Sequence, residues 1–180
     1  MFLKNWYKAL TAELYNSDSV TGKSVYGTDT RFTKSTASAG IYGLTSLTMA
    51  GSNSCISNNN TVPYMGIVKT NYTNGVIFGT GDTAPNTDDY ILSGSIITTI
   101  NGSGSVTVTA DDNGCTFTGV YMLTNIGSED ITVKEMGLVM SGAYSSYFLI
   151  ERSVLDEPIT ISAGEIGQVT YTIRFNYPTV

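Results

Sequence analysis

Two-residue periodicity is clearest in Gln168-Val-Thr-Tyr-Thr-Ile-Arg-Phe175, close to the end of the 180-residue chain. Apolar residues occupy every second position of this stretch, and polar residues occupy the positions between them. Because successive side chains of a strand point to opposite faces, the pattern predicts a β-strand with one buried and one solvated face. The predicted buried face consists of Val169, Tyr171, Ile173 and Phe175.

Similar strand patterns recur upstream of this stretch. Residues 115–124 place Cys115, Phe117, Tyr121 and Leu123 on one face. Short apolar runs separated by turn signals continue back to Val76, and no helical pattern lies between them. We therefore expect an antiparallel β-sandwich or jelly-roll-like domain over residues 76–180. In this prediction Asn101-Gly-Ser-Gly104 is a hairpin connection and Asp156-Glu-Pro158 breaks a strand.

The composition supports a mostly β fold. Charged residues make up 13% of the chain, about half of the usual share of roughly 25%. Thr, Ser, Asn and Gly supply the remaining polarity, and these residues suit strand surfaces and turns better than exposed helices. With 41% apolar residues, the chain is expected to fold rather than remain disordered.

The N-terminus predicts a short amphipathic helix over residues 1–16. Apolar side chains recur there at spacings of four, three and four residues, with one aromatic residue beside them: Leu3, Tyr7, Leu10 and Leu14, flanked by Trp6. A helix this short needs its apolar stripe covered. It either packs on its own domain or contacts copies of the chain or another subunit, which makes these five residues candidate attachment contacts. A membrane-surface helix is a third alternative, although two lysines make a thin basic face.

Residues 17–75 are rich in Ser, Thr, Gly and Asn, with only short apolar pieces. Such a segment builds a poor core by itself. We expect an extended arm with short strands, which follows the helix and precedes the main domain.

Several function classes are disfavoured. The net charge of −6 argues against a nucleic-acid partner, because affinity for nucleic acid depends on Lys and Arg. The absence of histidine removes Ser-His-Asp and Cys-His catalysis and most zinc sites. No stretch is apolar enough to span a membrane. Cys55 and Cys115 can form a disulfide, but reduced, packed thiols are favoured. We expect neither enzymatic activity nor a cofactor or metal.

Two strand residues are predicted to form an ion pair. If Ser141–Ser146 is a hairpin tip, the numbers of opposite residues sum to 287, which places Glu135 across from Arg152. Each is a charge inside a largely apolar strand, so pairing accounts for both. The same register does not place Glu135 opposite Glu151, so it gives no facing carboxylates for glycoside hydrolysis. A loop calcium site at Asp82, Asp88 and Asp89 is conceivable, although acidic residues in turns usually bind the local backbone.

Three stretches carry a family resemblance. They are Val76-Ile-Phe-Gly-Thr-Gly-Asp-Thr-Ala-Pro-Asn-Thr-Asp-Asp-Tyr-Ile-Leu92, then Leu123-Thr-Asn-Ile-Gly-Ser-Glu-Asp-Ile-Thr-Val-Lys-Glu-Met-Gly-Leu138, and Leu149-Ile-Glu-Arg-Ser-Val-Leu-Asp-Glu-Pro-Ile-Thr-Ile-Ser-Ala-Gly164 continuing into Val169-Thr-Tyr-Thr-Ile173. Together they resemble β-rich structural proteins encoded by tailed bacteriophages and prophages, notably of gut bacteria. The resemblance covers the chain from about Val76 onward and implies no cofactor or catalytic residue.

The resemblance implies a non-enzymatic virion protein, assembled in the cytoplasm of a bacterial host as symmetric copies. Its expected partners are copies of itself and other virion proteins of the capsid or tail, with neither nucleic acid nor membrane. Capsid decoration or head-fibre attachment is the first expectation, and a tail or collar component is the next. A receptor- or carbohydrate-binding appendage module is the alternative from another class, and a glycan hydrolase is the least supported.

Overall fold

The computed structural model describes residues 1–8, 21–31, 75–141 and 147–176. These residues form a short helical segment at 4–8 and eight strands. The strands are β1 (Thr21–Lys23), β2 (Asp29–Arg31), β3 (Gly75–Gly79), β4 (Ile100–Asp111), β5 (Gly114–Asn125), β6 (Ile131–Ser141), β7 (Tyr147–Ile161) and β8 (Ile166–Asn176).

The strands form two three-stranded antiparallel sheets and one small hairpin. One sheet has the order β3-β6-β7 and the other the order β4-β5-β8, while β1 pairs with β2. The prediction of a mostly β, antiparallel fold is therefore confirmed. The Gln168–Phe175 pattern also holds, since Val169, Tyr171 and Ile173 are buried while the polar residues between them are exposed.

Both three-stranded sheets contribute side chains to one main core. Phe78 of β3 meets Tyr121 of β5 edge to face, with ring centroids 5.7 Å apart. Leu138 and Ile150 reach this core from one sheet, and Val169 reaches it from the other. The apolar faces that the alternating sequence creates are thus buried against each other.

The β3-β6-β7 sheet is also covered on its second face. Ile77, Val139 and Leu149 point away from the main core and form a smaller cluster with Leu3, Val25 and Leu92. This second cover is why all five residues of β3 are buried. Strands that are buried on both faces have continuous apolar sequences, and Val-Ile-Phe in β3 is such a sequence.

The hairpin connection predicted at residues 101–104 is wrong. These residues lie inside β4, which pairs with β5 without interruption from Ile100 opposite Asn125 to Asp111 opposite Gly114. The Asn-Gly-Ser-Gly sequence favours a turn locally. Twelve consecutive cross-strand pairs outweigh that preference, because tertiary pairing overrides weak local propensity.

The predicted break at Asp156-Glu-Pro158 is an irregularity rather than a strand end. β7 continues to Ile161, but Val133 pairs with Ile159 and Glu135 pairs with Val154. Four residues of β7 therefore lie opposite one residue of β6. Pro158 is tolerated there because an interrupted ladder does not require its missing N–H.

The N-terminal helix begins later than predicted. Residues 1–3 are extended, and Phe2 forms an antiparallel bridge with Glu151 of β7. Leu3 N donates to Ile150 O at 3.0 Å and Arg152 N donates to Met1 O at 3.1 Å. These bonds to the sheet replace the first helical turn, and residues 4–8 are helical. The predicted continuation to residue 16 lies outside the described residues, as does most of the predicted 17–75 arm.

Candidate functional site

Glu135 and Arg152 form a buried ion pair at the centre of the β3-β6-β7 sheet. Arg152 Nε lies 2.8 Å from Glu135 Oε2, and the two residues are 1% and 0% exposed. A second carboxylate, Asp89, lies 2.7 Å from Arg152 Nη1. We call these three residues the buried charge cluster.

The register that predicted this pair is wrong. Glu135 lies opposite Val154, and Arg152 lies opposite Gly137, so opposite residues sum to 289 here rather than 287. Part of the difference is an irregularity beside Leu138, where Ile150 of β7 has no partner in β6. The two charges meet diagonally, because long side chains reach the neighbours of the directly opposite residue.

The Glu135 carboxylate is saturated with hydrogen bonds. Oε1 accepts from the backbone N–H groups of Gly81 and Gly94 at 2.9 and 2.7 Å, and Oε2 accepts from the N–H of Ser93 at 3.1 Å. Burial by itself would raise the pKa of Glu135. The hydrogen bonds from Arg152, Gly94 and Ser93 outweigh burial, so the pKa lies below its usual value.

Gly81, Ser93 and Gly94 belong to the loop between β3 and β4, and Arg152 binds two further residues of this loop. Its Nη1 donates to Asp89, and its Nη2 donates to the carbonyl oxygen of Thr83 at 2.7 Å. Burial opposes the charged form, but Glu135 and then Asp89 more than compensate, so the pKa of Arg152 is raised. The cluster thus holds residues 80–99, which connect β3 to β4, against the sheet. A loop of this length without strands needs such anchors to keep one conformation.

Two glycines make room for this arrangement. A Cβ at Gly79 would lie 2.7 Å from Leu92 Cδ1 and 2.9 Å from Glu135 Oε1. A Cβ at Gly137 would lie 2.7 Å from Leu149 Cδ1. The absence of a side chain at these two positions lets the loop pack closely on the sheet.

Glu151 lies apart from the buried charge cluster. Its carboxylate accepts hydrogen bonds from the hydroxyl of Tyr171 and, at 2.6 Å, from that of Ser153, and Met1 N lies 2.5 Å from it. Burial, then the Glu151 charge, raises the pKa of Tyr171. Glu135 and Glu151 therefore belong to two separate hydrogen-bond networks, and each network fixes the orientation of its own carboxylate.

The three loop aspartates considered for calcium each bind a different cation of the protein. Asp82 contacts Lys134 at 2.9 Å, Asp88 contacts Lys4 at 2.5 Å, and Asp89 contacts Arg152. Within the described ranges, no group of three or more acidic or cysteine side chains is arranged to hold a metal ion. Cys115 has a free thiol, and Cys55 lies outside the described residues.

The structure buries two of the candidate attachment residues at the N-terminus and exposes a third. Leu3 is fully buried, and Trp6 is 9% exposed, with its ring 5.1 Å from Phe2 and 6.2 Å from Phe175. Tyr7 is 56% exposed. Leu10 and Leu14 lie outside the described residues. Among the described candidates, Tyr7 is therefore the one whose side chain faces solvent.

Sequence reasoning missed two buried asparagines. Asn5 Nδ2 donates to the carbonyls of Lys23 and Leu149 at 2.8 and 3.2 Å, and so joins the N-terminal segment to β1 and β7. Asn125 Nδ2 donates to the carbonyls of Glu129 and Ile161 at 2.7 and 3.0 Å. Asparagine in a polar stretch gives no signal of burial, so composition could not have identified either residue.

An open groove lies between the second half of β7 and β8. Its volume is about 520 Å³, and Leu155, Pro158 and Tyr171 are among its lining residues. Asp156 and Glu157 also line the groove.

No protein-family model, curated protein or solved structure matches the chain. In the part of the chain that the structure describes, no helical segment has the length and apolar character needed to cross a bilayer.

Proposed function

We propose that the chain is a non-enzymatic structural protein of a tailed-bacteriophage particle, used as symmetric copies. Capsid decoration or head-fibre attachment is the proposed role, and a tail or collar position is the alternative. We further propose that the two sheets form a jelly-roll-like β-sandwich. Support for this architecture comes from the shared main core, in which Phe78 of one sheet meets Tyr121 of the other.

One observation carries the proposal: the three stretches that resemble phage structural proteins form one structural unit. Asp89 belongs to the first stretch, Glu135 to the second and Arg152 to the third, and these residues meet in the buried charge cluster. Stretches far apart in sequence thus share one buried interaction. In this proposal the three stretches form one three-dimensional module, and that module is the part of the chain that carries the resemblance.

The ionisable groups in the sheet support a structural role. Glu135 accepts three backbone N–H groups, and Arg152 donates to two carboxylates and one carbonyl. Groups used in this way rigidify a loop, since all three guanidinium nitrogens of Arg152 and both carboxylate oxygens of Glu135 form hydrogen bonds.

Fractionation of particles from a bacterial culture that carries the gene tests this proposal. Phage particles purified on a density gradient should contain the chain in fixed ratio to the major capsid protein, as measured by quantitative mass spectrometry. Gold-labelled antibody should then mark the head, or the tail under the alternative. Recovery of the chain only from the particle-free host fraction would reject the proposal.

A further inference from the structure

Asn101 and Gly102 are an asparagine–glycine pair near the beginning of β4. Both residues are exposed, and both pair with β5 rather than form the turn that their sequence favours. Gly102 N donates to Oδ1 of Asn101 at 2.9 Å. The backbone nitrogen of Gly102 therefore lies beside the side-chain carboxamide of the residue that precedes it.

The register of β4 with β5 explains the direction of the Gly102 N–H. Asp111 and Gly114 close a two-residue loop, so they form a hydrogen-bonded pair. Hydrogen-bonded and non-hydrogen-bonded pairs alternate along an antiparallel ladder. Counted back from Asp111, Asn101 belongs to the hydrogen-bonded series, whereas Gly102, opposite Leu123, does not. The N–H of Gly102 thus points away from β5, on the side where it meets the Asn101 carboxamide.

This contact brings together the two groups of an intramolecular imide reaction. The Gly102 nitrogen loses its proton to solvent and attacks Cγ of Asn101. The bond from Cγ to Nδ2 breaks with uptake of a proton, so ammonia leaves and a cyclic succinimide remains. Water then opens the ring at either carbonyl, which gives aspartate or isoaspartate. The sequence of steps needs water alone as co-reactant.

Three features of the site favour this reaction. Two reacting groups that are already in contact avoid much of the entropy cost of meeting. Gly102 has no Cβ beside the attacking nitrogen, so its approach to Cγ is unobstructed. Loss of the Gly102 proton breaks no ladder bond with β5, because the N–H does not face that strand. Asn101 is exposed, so water reaches the succinimide ring.

Asn113 and Gly114 are the same dipeptide in a different arrangement. They lie where the turn between β4 and β5 ends, and Asn113 N donates to Asp111 Oδ1 at 2.8 Å. Gly114 belongs to the hydrogen-bonded pair that closes this turn, so the ladder holds its nitrogen. The Gly114 N–H also hydrogen-bonds to the carboxyl of Asp111. The nitrogen that would attack Asn113 is thus committed to Asp111.

We propose that Asn101 is a site of spontaneous deamidation through a succinimide with Gly102, and that it reacts faster than Asn113. Either product adds a negative charge to β4. Isoaspartate also adds a methylene to the backbone, which shifts the register beside the buried pair of Ile100 and Asn125. This inference goes beyond the proposed function and does not depend on where the chain is located.

Peptide mapping of the purified full-length chain tests the proposal after prolonged incubation at mildly alkaline pH. Digestion before aspartate separates the two sites, because Asp111 and Asp112 lie between them. Mass spectrometry should show deamidation of Asn101 at a rate at least about tenfold above that of Asn113. In the urea-denatured chain the two rates should become similar, since glycine follows both asparagines.

Two glycine variants provide a matched comparison. Gly102→Ala should slow deamidation of Asn101 several-fold, because a Cβ beside the nitrogen obstructs its attack on Cγ. Gly104→Ala lies on the same strand and face but does not adjoin Asn101, so the wild-type rate should persist. Circular dichroism checks that both variants keep the fold. An Asn101 that stays intact in the folded chain, an equal or faster rate at Asn113, or a rate that Gly102→Ala leaves unchanged would overturn the assignment.

Discussion

At the scale of single residues, the buried charge cluster joins strands β6 and β7 to the loop between β3 and β4. Arg152 is 1% exposed and binds Glu135, Asp89 and the Thr83 carbonyl. Desolvating these charges is costly, and the cost is offset only while all partners are present. The cluster therefore makes the position of the β3–β4 loop depend on one guanidinium group and one carboxylate.

Removing that guanidinium should be strongly destabilising. We expect Arg152→Met to lower the free energy of unfolding by about 3–5 kcal/mol, because it leaves the buried carboxylate of Glu135 and the partly buried carboxylate of Asp89 without their cation. Lys134→Met is the matched control: Lys134 neighbours Glu135 in β6 but binds the exposed Asp82, so little change is expected. Urea denaturation of Arg152→Met, Glu135→Gln and the double variant gives the coupling energy. A coupling of zero would contradict the account of this pair.

The buried charge cluster should also make the free energy of unfolding depend on pH. The folded-state pKa of Glu135 lies below its ordinary value of 4.5. Its contribution is therefore fully present above about pH 4.5 and is lost as the pH falls through the folded-state pKa. We expect the free energy of unfolding of Glu135→Gln to fall less steeply with decreasing pH than that of the wild type. Urea denaturation from pH 7 downward measures this dependence. If the free energy of unfolding falls equally steeply with decreasing pH in the wild type and the variant, Glu135 is not the cause of the pH dependence.

The sequence predicted a partnership between Glu135 and Arg152 but not how the two residues meet. Two lone charges in apolar strands indicated a pair. The diagonal geometry depends on the irregularity beside Ile150, and this feature has no signal in residue type alone. Asp89 and the backbone donors to Glu135 come from a loop whose path no periodicity describes, so they could not be predicted.

At the scale of elements, alternation predicted strands well where one face is buried. β8 is the clearest case, since its exposed and buried residues follow the sequence pattern. β4 was predicted poorly, because an exposed edge strand lacks the apolar alternation that identifies a strand. The turn residues at 101–104 then dominated the prediction, although pairing with β5 decides the structure.

The N-terminal segment is an integral element rather than a free appendage. Its first three residues pair with β7, Leu3 enters the smaller cluster, and Trp6 stacks on Phe2. We expect Trp6→Ala to lower the free energy of unfolding by about 3 kcal/mol, as truncations of large aromatic core residues do. Tyr7→Ala, at the exposed neighbouring position, should have a smaller effect. Thermal unfolding checks both variants, and equal stability of Trp6→Ala and the wild type would place Trp6 outside the core.

At the scale of the whole molecule, one sheet acts as the organising layer. The β3-β6-β7 sheet contributes to the main core on one face and to the smaller cluster on the other. The second face also bears the loop held by the buried charge cluster. The β4-β5-β8 sheet is different, because ten of the twelve residues of its outer strand β4 are exposed.

Cryo-electron microscopy of particles purified from a culture that carries the gene tests the central claim most directly. The account predicts density for the two three-stranded sheets at symmetry-related positions on the particle. Well-resolved particles of that phage in which no symmetric position accommodates this fold would contradict it.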